Sequence, residues 1–511
     1  MAKTTSLERA EVALTATMEQ PRLAAEDPET PFRLLVAGAF SGEAPEGARA
    51  RLGFDRLPVR VDRDSLDDVL SAMDVALTIP LGGEAAPATT FRFRCLEDFH
   101  PDRILERTPA FGALSRARAE LQDPATFAEA ARRVRSWAGP AAEPASRTSR
   151  KAAPRSESED LVAELLEGSR EKGGGLPPDV ARLVRSIAAE HSVPASDPDA
   201  PRLIAAVDAM IGSWLNAAMH DPAFQALEAA WRGVAWLADR LETDSSLQLW
   251  LLDVSRDALS SDLKASQSLE ASGWHKILVE QPALSGEPVP WAAVAGLYTF
   301  GRTVEDVALL ARLGRVAEIA RAPFLAAGSS EVVGSPGFGE APDPDDWEDG
   351  GRESPASQIW EALRELPSAR SLGLAAPRFL LRLPYGKDTE PAETVAFEEM
   401  PEGCVHESYL WGNPALACLA LLGQAFASDG WSLRPGSVQD LPGLPLHVYA
   451  EDRSSRIKPC AEATLSPRAA ERLLDAGVMP LLSVPGRDAV RLVRFQSLAA
   501  PPAPLSGRWA G

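Results

Sequence analysis

Cysteine, histidine and tyrosine are scarce: 4, 6 and 4 residues in a chain of 511. Cys95, Cys404, Cys418 and Cys460 lie far apart with no CxxC pair. That argues against a disulfide framework and a structural zinc, and for a reducing compartment. The histidines are equally dispersed, so no helix face offers the paired imidazoles a metal needs. His406-Glu407 opens like the zinc motif HExxH, but Leu410 stands where the second ligand belongs. No apolar run approaches the ~20 residues of a membrane span. The opening MAKTTSLERAEVALT lacks the basic-then-apolar pattern of a signal peptide. A cytoplasmic location without membrane insertion is expected.

Motifs for catalysis are missing too. A phosphate loop needs GxxxxGK[ST], so that backbone N–H groups and a lysine surround the phosphates. LRLPYGKD, around Gly386 and Lys387, lacks the first glycine and ends in Asp388. The glycines of GSPGFG (334–339) have the wrong spacing, and DPDDWED (343–349) lacks the regular spacing of a calcium loop. No GxSxG presents a serine nucleophile. No catalytic, cofactor-binding or metal-ligating residue is singled out. No cofactor is expected, and the chain reads as a non-enzyme, with an α/β enzyme assembled from distant residues as the remote alternative. The balance of 52 basic against 73 acidic residues gives a net charge of −21, which disfavours nucleic acid, because phosphate binding depends on Lys and Arg.

What is present is organised by linkers. Residues 138–158, rich in Ala, Pro and Ser, carry no apolar periodicity and read as a flexible tether. They separate a unit at 32–137 from a second at 159–511, and an arm, 1–31, precedes both. In that arm Val12, Leu14, Ala16 and Met18 alternate as in a strand, while Leu7, Ala10, Leu14 and Met18 fit a helix stripe, and both readings stand. The stretch 331–353, with eight acidic residues and one Arg, reads as an exposed loop.

In the first unit FRLLVAGAF (32–40) is a nearly unbroken apolar run, as in a strand buried on both faces. LPVRVDR, VALTIPL and TTFRFRC follow as strands, with Asp64 as cap of a short helix and two helices closing the unit, from Pro101 and after the N-cap Asp123. Strands followed by helices predict α+β. In the second unit Asp221 caps a helix whose Phe224, Leu227, Trp231, Val234, Ala238 and Leu241 form one stripe. LQLWLLDV, WAAVAGLYTF, FLAAG and PRFLLRL (377–383) read as strands, and 303–320 as a helix in which Ala308, Ala311 and Gly314 permit close packing. This alternation predicts α/β layers, with sheets flanked by helices in two joined units.

FRLLVAGAFSG, LPVRVDRDSLDDVL and FRCLEDFHPDRILERTPAF closely resemble the small subunit of the type VI secretion contractile sheath (TssB/VipA type), LEDFHPDR most specifically. DPAFQALEAAWRGVAWLADR, LGLAAPRFLLRLPYG, SYLWGNPALA and RLLDAGVMPLLSVPGRDAVRLVRFQS resemble the large subunit (TssC/VipB type). The resemblance implies a structural protein of a helical sheath around an inner tube, whose contraction drives effector delivery. It implies as partners other sheath subunits, the inner tube protein, the baseplate and an AAA+ recycling unfoldase. It marks Trp231 with Arg232, and Trp411 with Asn413, as candidates for a structural polar network or, more plainly, for core aromatics with satisfied neighbours. Here both subunit types lie on one chain. The large subunit's usual C-terminal region, which interlocks neighbouring protomers, is not recognised, so weak self-association is expected. A non-polymerising accessory of the baseplate or sheath end is the alternative role.

Overall fold

A computed structural model describes residues 26–42, 57–81, 88–123, 125–136, 200–280, 289–348, 354–401, 403–451 and 454–509. The 138–158 tether and most of the N-terminal arm lie outside these residues. The first half carries β1 (Phe32–Gly38), β2 (Val59–Val61), α1 (Leu66–Ala72), β3 (Val75–Pro80), β4 (Ala88–Phe93), α2 (Pro101–Arg107), α3 (Gly112–Gln122) and α4 (Phe127–Ser136). The second opens with α5 (Ala200–Met219), α6 (Pro222–Arg240), β5 (Leu247–Asp253), α7 (Arg256–Ala265), β6 (Trp291–Phe300), α8 (Val304–Ala320) and β7 (Phe324–Gly328). It continues with α9 (Pro355–Glu365), β8 (Leu372–Ala376), β9 (Phe379–Leu380), β10 (Trp411–Gly412), α10 (Pro414–Asp429) and β11 (Asp440–Leu441). It closes with β12 (His447–Glu451), β13 (Ser454–Lys458), α11 (Pro467–Asp475), β14 (Val478–Ser483) and β15 (Val490–Leu492).

Nine strands form one sheet in the order β11-β15-β14-β8-β7-β6-β1-β5-β2. From β14 to β5 the neighbours run parallel, and β2, β15 and β11 are antiparallel additions at the two sides. The first half therefore does not stand beside the second. Its β1 lies between β5 and β6, in register Leu34↔Leu249 and Leu34↔Ala293. All seven β1 residues are buried. Side chains alternate across a strand, and here Phe32, Leu34 and Val36 enter one core while Leu35 and Ala37 enter the core on the opposite face. The first core is built with α5, α6 and α10, the second with α7, α8, α9 and α11. The result is a helix–sheet–helix arrangement of mixed α/β class.

Local signals explain most element ends. Asp221 accepts from the amides of Ala223 and Phe224 at the start of α6, with Pro222 in the first turn, and all six stripe residues are buried. Thr303 caps α8, and Gly314 lets that helix approach Leu372 and the Ser368 carbonyl.

Four expectations need correction. Ser65, not Asp64, occupies the N-cap of α1, because the Asp62 carboxylate takes the Ser65 amide and hydroxyl. The closing helices number three, since α3 continues the chain after α2. PRFLLRL forms only the two-residue β9, and the sheet strand is the preceding LGLAA of β8. Small residues fit there: a Cβ on Gly373 would stand 2.7 Å from the Leu325 side chain. Finally, the described part of the acidic stretch is anchored rather than loose. Val332, Val333, Phe338 and Trp347 are buried among its carboxylates, and the Trp347 indole donates to the Ala341 carbonyl at 2.7 Å. Average composition hid these few apolar anchors.

Because β1 is paired along both edges, cutting the chain between residues 137 and 199 is expected to leave the two fragments together. Co-elution of nicked protein on a sizing column without denaturant checks this, and separate peaks would contradict the shared sheet.

Candidate functional site: the seam between the two halves

The seam begins where β1 ends. Asp253, at the end of β5, is buried, and its Oδ1 accepts the amides of Phe40 (2.9 Å) and Ser41 (3.1 Å). From α6 the Trp231 indole donates to the Phe40 carbonyl at 2.8 Å, and its ring meets the Phe40 ring edge-on at 5.4 Å. At the other end of β1, Phe32 stacks on Phe426 of α10 at 4.4 Å. The Arg33 guanidinium lies between the faces of Trp250 and Trp291, 4.5 and 4.1 Å from their centroids. Its burial pulls the pKa down to about 10. Phe91, Phe93 and Phe99 pack on Phe224 at 5.8–5.9 Å.

The segment LEDFHPDR makes a second crossing. Asp98 folds back to serve its own half, accepting from the Arg94 amide and from Arg107. His100 caps α2 and presents its ring edge to Tyr385 at 4.9 Å. Asp102 reaches across, and its two oxygens accept the amides of Glu393 and Thr394, each at 2.9 Å.

That bound loop, 384–399, closes over a buried charge network. The Arg382 guanidinium bridges Glu228 of α6 (2.8 and 3.2 Å) and Glu399 (2.7 and 3.0 Å) and lies over the Tyr385 ring. Arg232 donates to Glu228 at 2.7 Å and to the Tyr385 hydroxyl at 2.8 Å, and the Tyr385 amide donates to Glu399 at 2.7 Å. Two arginines thus face two carboxylates, a balance that buried charges require. Burial alone would raise the Glu399 pKa. The Arg382 charge and the bonds from Arg382 and the Tyr385 amide, with His220 Nε2 3.6 Å away, outweigh it and hold it at about 2.

A separate cluster surrounds Trp411. Its indole donates to the His406 carbonyl at 3.0 Å, with Arg378 and Lys458 over its ring. Arg378 pairs with Glu462, which also faces His406 at 3.3 Å. Burial opposes ionisation of Glu462, but the His406 and Arg378 bonds lower its pKa to about 2.

The four residues singled out by sequence therefore fall in different places. Trp231 fastens α6 to the first half, and Arg232, its neighbour, joins the buried network. Trp411 belongs to the second cluster, and Asn413 caps α10 while donating to the Tyr298 carbonyl at 3.2 Å. Both readings apply to Trp231, a core aromatic whose one polar atom is satisfied across the seam. Sequence reasoning passed over Glu228, Arg382, Glu399, Asp102 and Asp253. For Glu228 a signal existed: a carboxylate on the apolar stripe of α6, one turn after Phe224.

A groove of about 510 Å³ opens at the carboxyl ends of β1, β6 and β7, where open α/β sheets commonly hold ligands. Its floor is alanine-rich, and its arginines are engaged: Arg256 with Asp306, Arg378 with Glu462. No cluster of three His, Cys, Asp or Glu suited to a metal occurs among the described residues. The chemistry on display is that of adhesion between two halves.

Comparison with known families agrees with this geometry. Residues 201–499 match VipB, described as the EvpB/VC_A0108 tail sheath N-terminal domain, and residues 7–136 match the family described as type VI secretion system, VipA, VC_A0107 or Hcp2. The chain belongs to the type VI secretion tail sheath family, with small- and large-subunit domains on one polypeptide, and these sheath families are structural and non-enzymatic. Among individual relatives it is similar to the type VI secretion system sheath protein TssC1 of Pseudomonas aeruginosa, 34% identical over 305 residues. That match covers 58% of this chain and 61% of the relative's length.

Three measurements address the seam. Trp231→Ala is expected to cost ~3–5 kcal/mol, as large aromatic deletions in cores do, and to appear as loss of soluble protein. A soluble, normally stable variant would place Trp231 outside the core. Arg382→Met leaves two buried carboxylates facing each other and is expected to cost ~3–5 kcal/mol. Adding Glu228→Gln and Glu399→Gln should recover much of that stability in urea denaturation, and no recovery would contradict the charge balance. The third is pH dependence. Glu399 and Glu462 are depressed from 4.5 to about 2, so their stabilisation is complete above 4.5 and disappears as the pH falls from there towards 2. Urea midpoints should drop across that window, with a shallower drop in Glu399→Gln.

Proposed function

We propose that the chain is a fused protomer of a type VI secretion contractile sheath. It surrounds an inner tube in the cytoplasm and takes part in contraction-driven effector delivery. The observation that carries this reading is the insertion of β1 between β5 and β6, which makes the two sheath domains one structural unit. Residues 138–158 act as the tether between a small-subunit domain at 32–137 and a large-subunit domain from 159, with 1–31 as an arm. A covalent tether holds joined modules at an effective concentration on the order of mM when it is short, and it imposes one-to-one stoichiometry. The partners are other sheath subunits, the inner tube protein, the baseplate and an AAA+ recycling unfoldase.

Electron microscopy tests the assignment. The expected result is sheath-like tubules containing this chain when it is mixed with a complete large subunit from the same organism. Discrete particles under all conditions would overturn it in favour of an accessory at the baseplate or sheath end.

A further inference from the structure

Lys458, the last residue of β13, ends a chain of three side chains that the seam does not use. Glu462 Oε1 lies 3.3 Å from His406 Nε2, and His406 Nδ1 lies 2.8 Å from Lys458 Nζ. The carboxylate settles the tautomer of the imidazole. With its pKa held at about 2, Glu462 is ionised near neutral pH, and an ionised carboxylate only accepts. The ring proton therefore sits on Nε2, and Nδ1 keeps a bare lone pair towards the lysine. A base within hydrogen-bond reach of a nucleophile, and itself oriented by a third group, is the arrangement that activates nucleophiles in proteins.

The ring is held in that orientation. Trp411 lies against it with centroids 5.2 Å apart, and a Cβ on residue 339 would stand 2.4 Å from its Cε1, so the bare Gly339 backbone closes on it. The groups around Lys458 pull in both directions. Burial disfavours its charge, and Arg378 adds to that; Glu462, Cys404 and Glu407 favour it. The Tyr409 and Trp411 rings, 5.2 and 5.4 Å from Nζ, favour it too, and His447 stands opposite in the ladder. Burial prevails and lowers the Lys458 pKa, so more free amine is present near neutral pH than in a solvated lysine. Lys458 is half-buried and His406 keeps 21% of its side-chain accessibility, which leaves the pair open to solvent on the histidine side.

We propose that Lys458 is a site of acylation that needs no enzyme: its amine takes an acyl group from an activated donor, an acyl phosphate or an acyl thioester, with His406 as the receiving base.

The ammonium first passes one proton to His406 Nδ1, and Glu462 stabilises the imidazolium. The freed Nζ lone pair attacks the acyl carbon. A C–N bond forms while the bond to the phosphate oxygen or the thioester sulfur breaks, and the leaving group departs with that electron pair. The second proton of the nitrogen goes to the leaving group, and His406 returns its own to water. The product is a neutral amide with one N–H left for His406. It brings no charge to the Tyr409 and Trp411 rings, and Glu462 is left with Arg378 as its cationic partner.

Competitive labelling of the full chain tests this. Acetyl phosphate or acetyl-CoA is added in limiting amount from about pH 6.5 upward to the ordinary lysine pKa of ~10.4, and acetylation of each lysine is read by peptide mass spectrometry. Lys264, Lys276 and Lys387, all exposed, serve as internal standards. Near neutral pH Lys458 should react faster than each of them by about tenfold, a modest share of the ~10²–10⁴-fold that a positioned base contributes. Its rate should also level off at a lower pH than theirs. His406→Asn should bring the Lys458 rate down to that of the standards and leave the standards unchanged, and the wild-type comparison stands whether or not that variant folds. Reaction with one donor alone assigns the acyl source. No reaction with either donor, a Lys458 rate no faster than the standards, or an undiminished rate in folded His406→Asn would each overturn the proposal.

Discussion

The structure depends on a strand that has no place of its own. Phe32–Gly38 pairs on one side with Leu247–Asp253 and on the other with Trp291–Phe300, so each of its edges is completed by the other half of the chain. Without it, β5 and β6 would each expose a row of unpaired backbone groups beside a slot lined by both cores. Unpaired edges of this kind invite promiscuous pairing. Filling the slot from within the same polypeptide makes the correct partner the nearest one. The aromatic contacts of Phe32, Phe40 and Arg33 at the two ends of the strand fix its position along the slot.

The buried charges give the seam its particular register. Asp102 holds the 393–394 backbone, the loop carrying that backbone presents Tyr385 and Glu399, and these meet Arg382, Arg232 and Glu228. Glu228 and Arg232 lie on the helix whose Trp231 returns to Phe40. The path is a closed circuit from the first half through the loop and α6 back to the first half. Buried ion pairs are weak sources of net stability, but breaking one side is costly. Such a circuit penalises a misplaced loop more than it rewards a correct one. This also gives LEDFHPDR a physical reason: Asp98 braces the turn, while His100 and Asp102 face outward across the seam.

Much of the scaffold was legible because its signals are local. Asp221-Pro222 and the stripe to Leu241 define α6, and the apolar run of 291–300 defines β6. The neighbours of β1 were not legible. A strand that is apolar but for Arg33 shows no alternation to mark a face, and its pairing partners lie more than two hundred residues away. The anchoring of 331–348 was hidden because Val332, Phe338 and Trp347 are diluted by acidic residues. The charge network was half visible: Glu228 breaks an apolar helical stripe and Arg382 breaks an apolar run, yet nothing in sequence spacing shows that the two meet.

The double pairing of β1 also determines how the molecule carries force. Tension that draws the two halves apart along the strand direction loads the ladders on both sides of β1 in shear. The hydrogen bonds to β5 and to β6 then share the strain and must yield together rather than one at a time. The three-residue β2, paired on a single side at the rim of the sheet, has no such reserve. A pull on the chain between β1 and β2 therefore strips the rim first and leaves the central strand seated, so the seam acts as the stiff element and the rim as the compliant one.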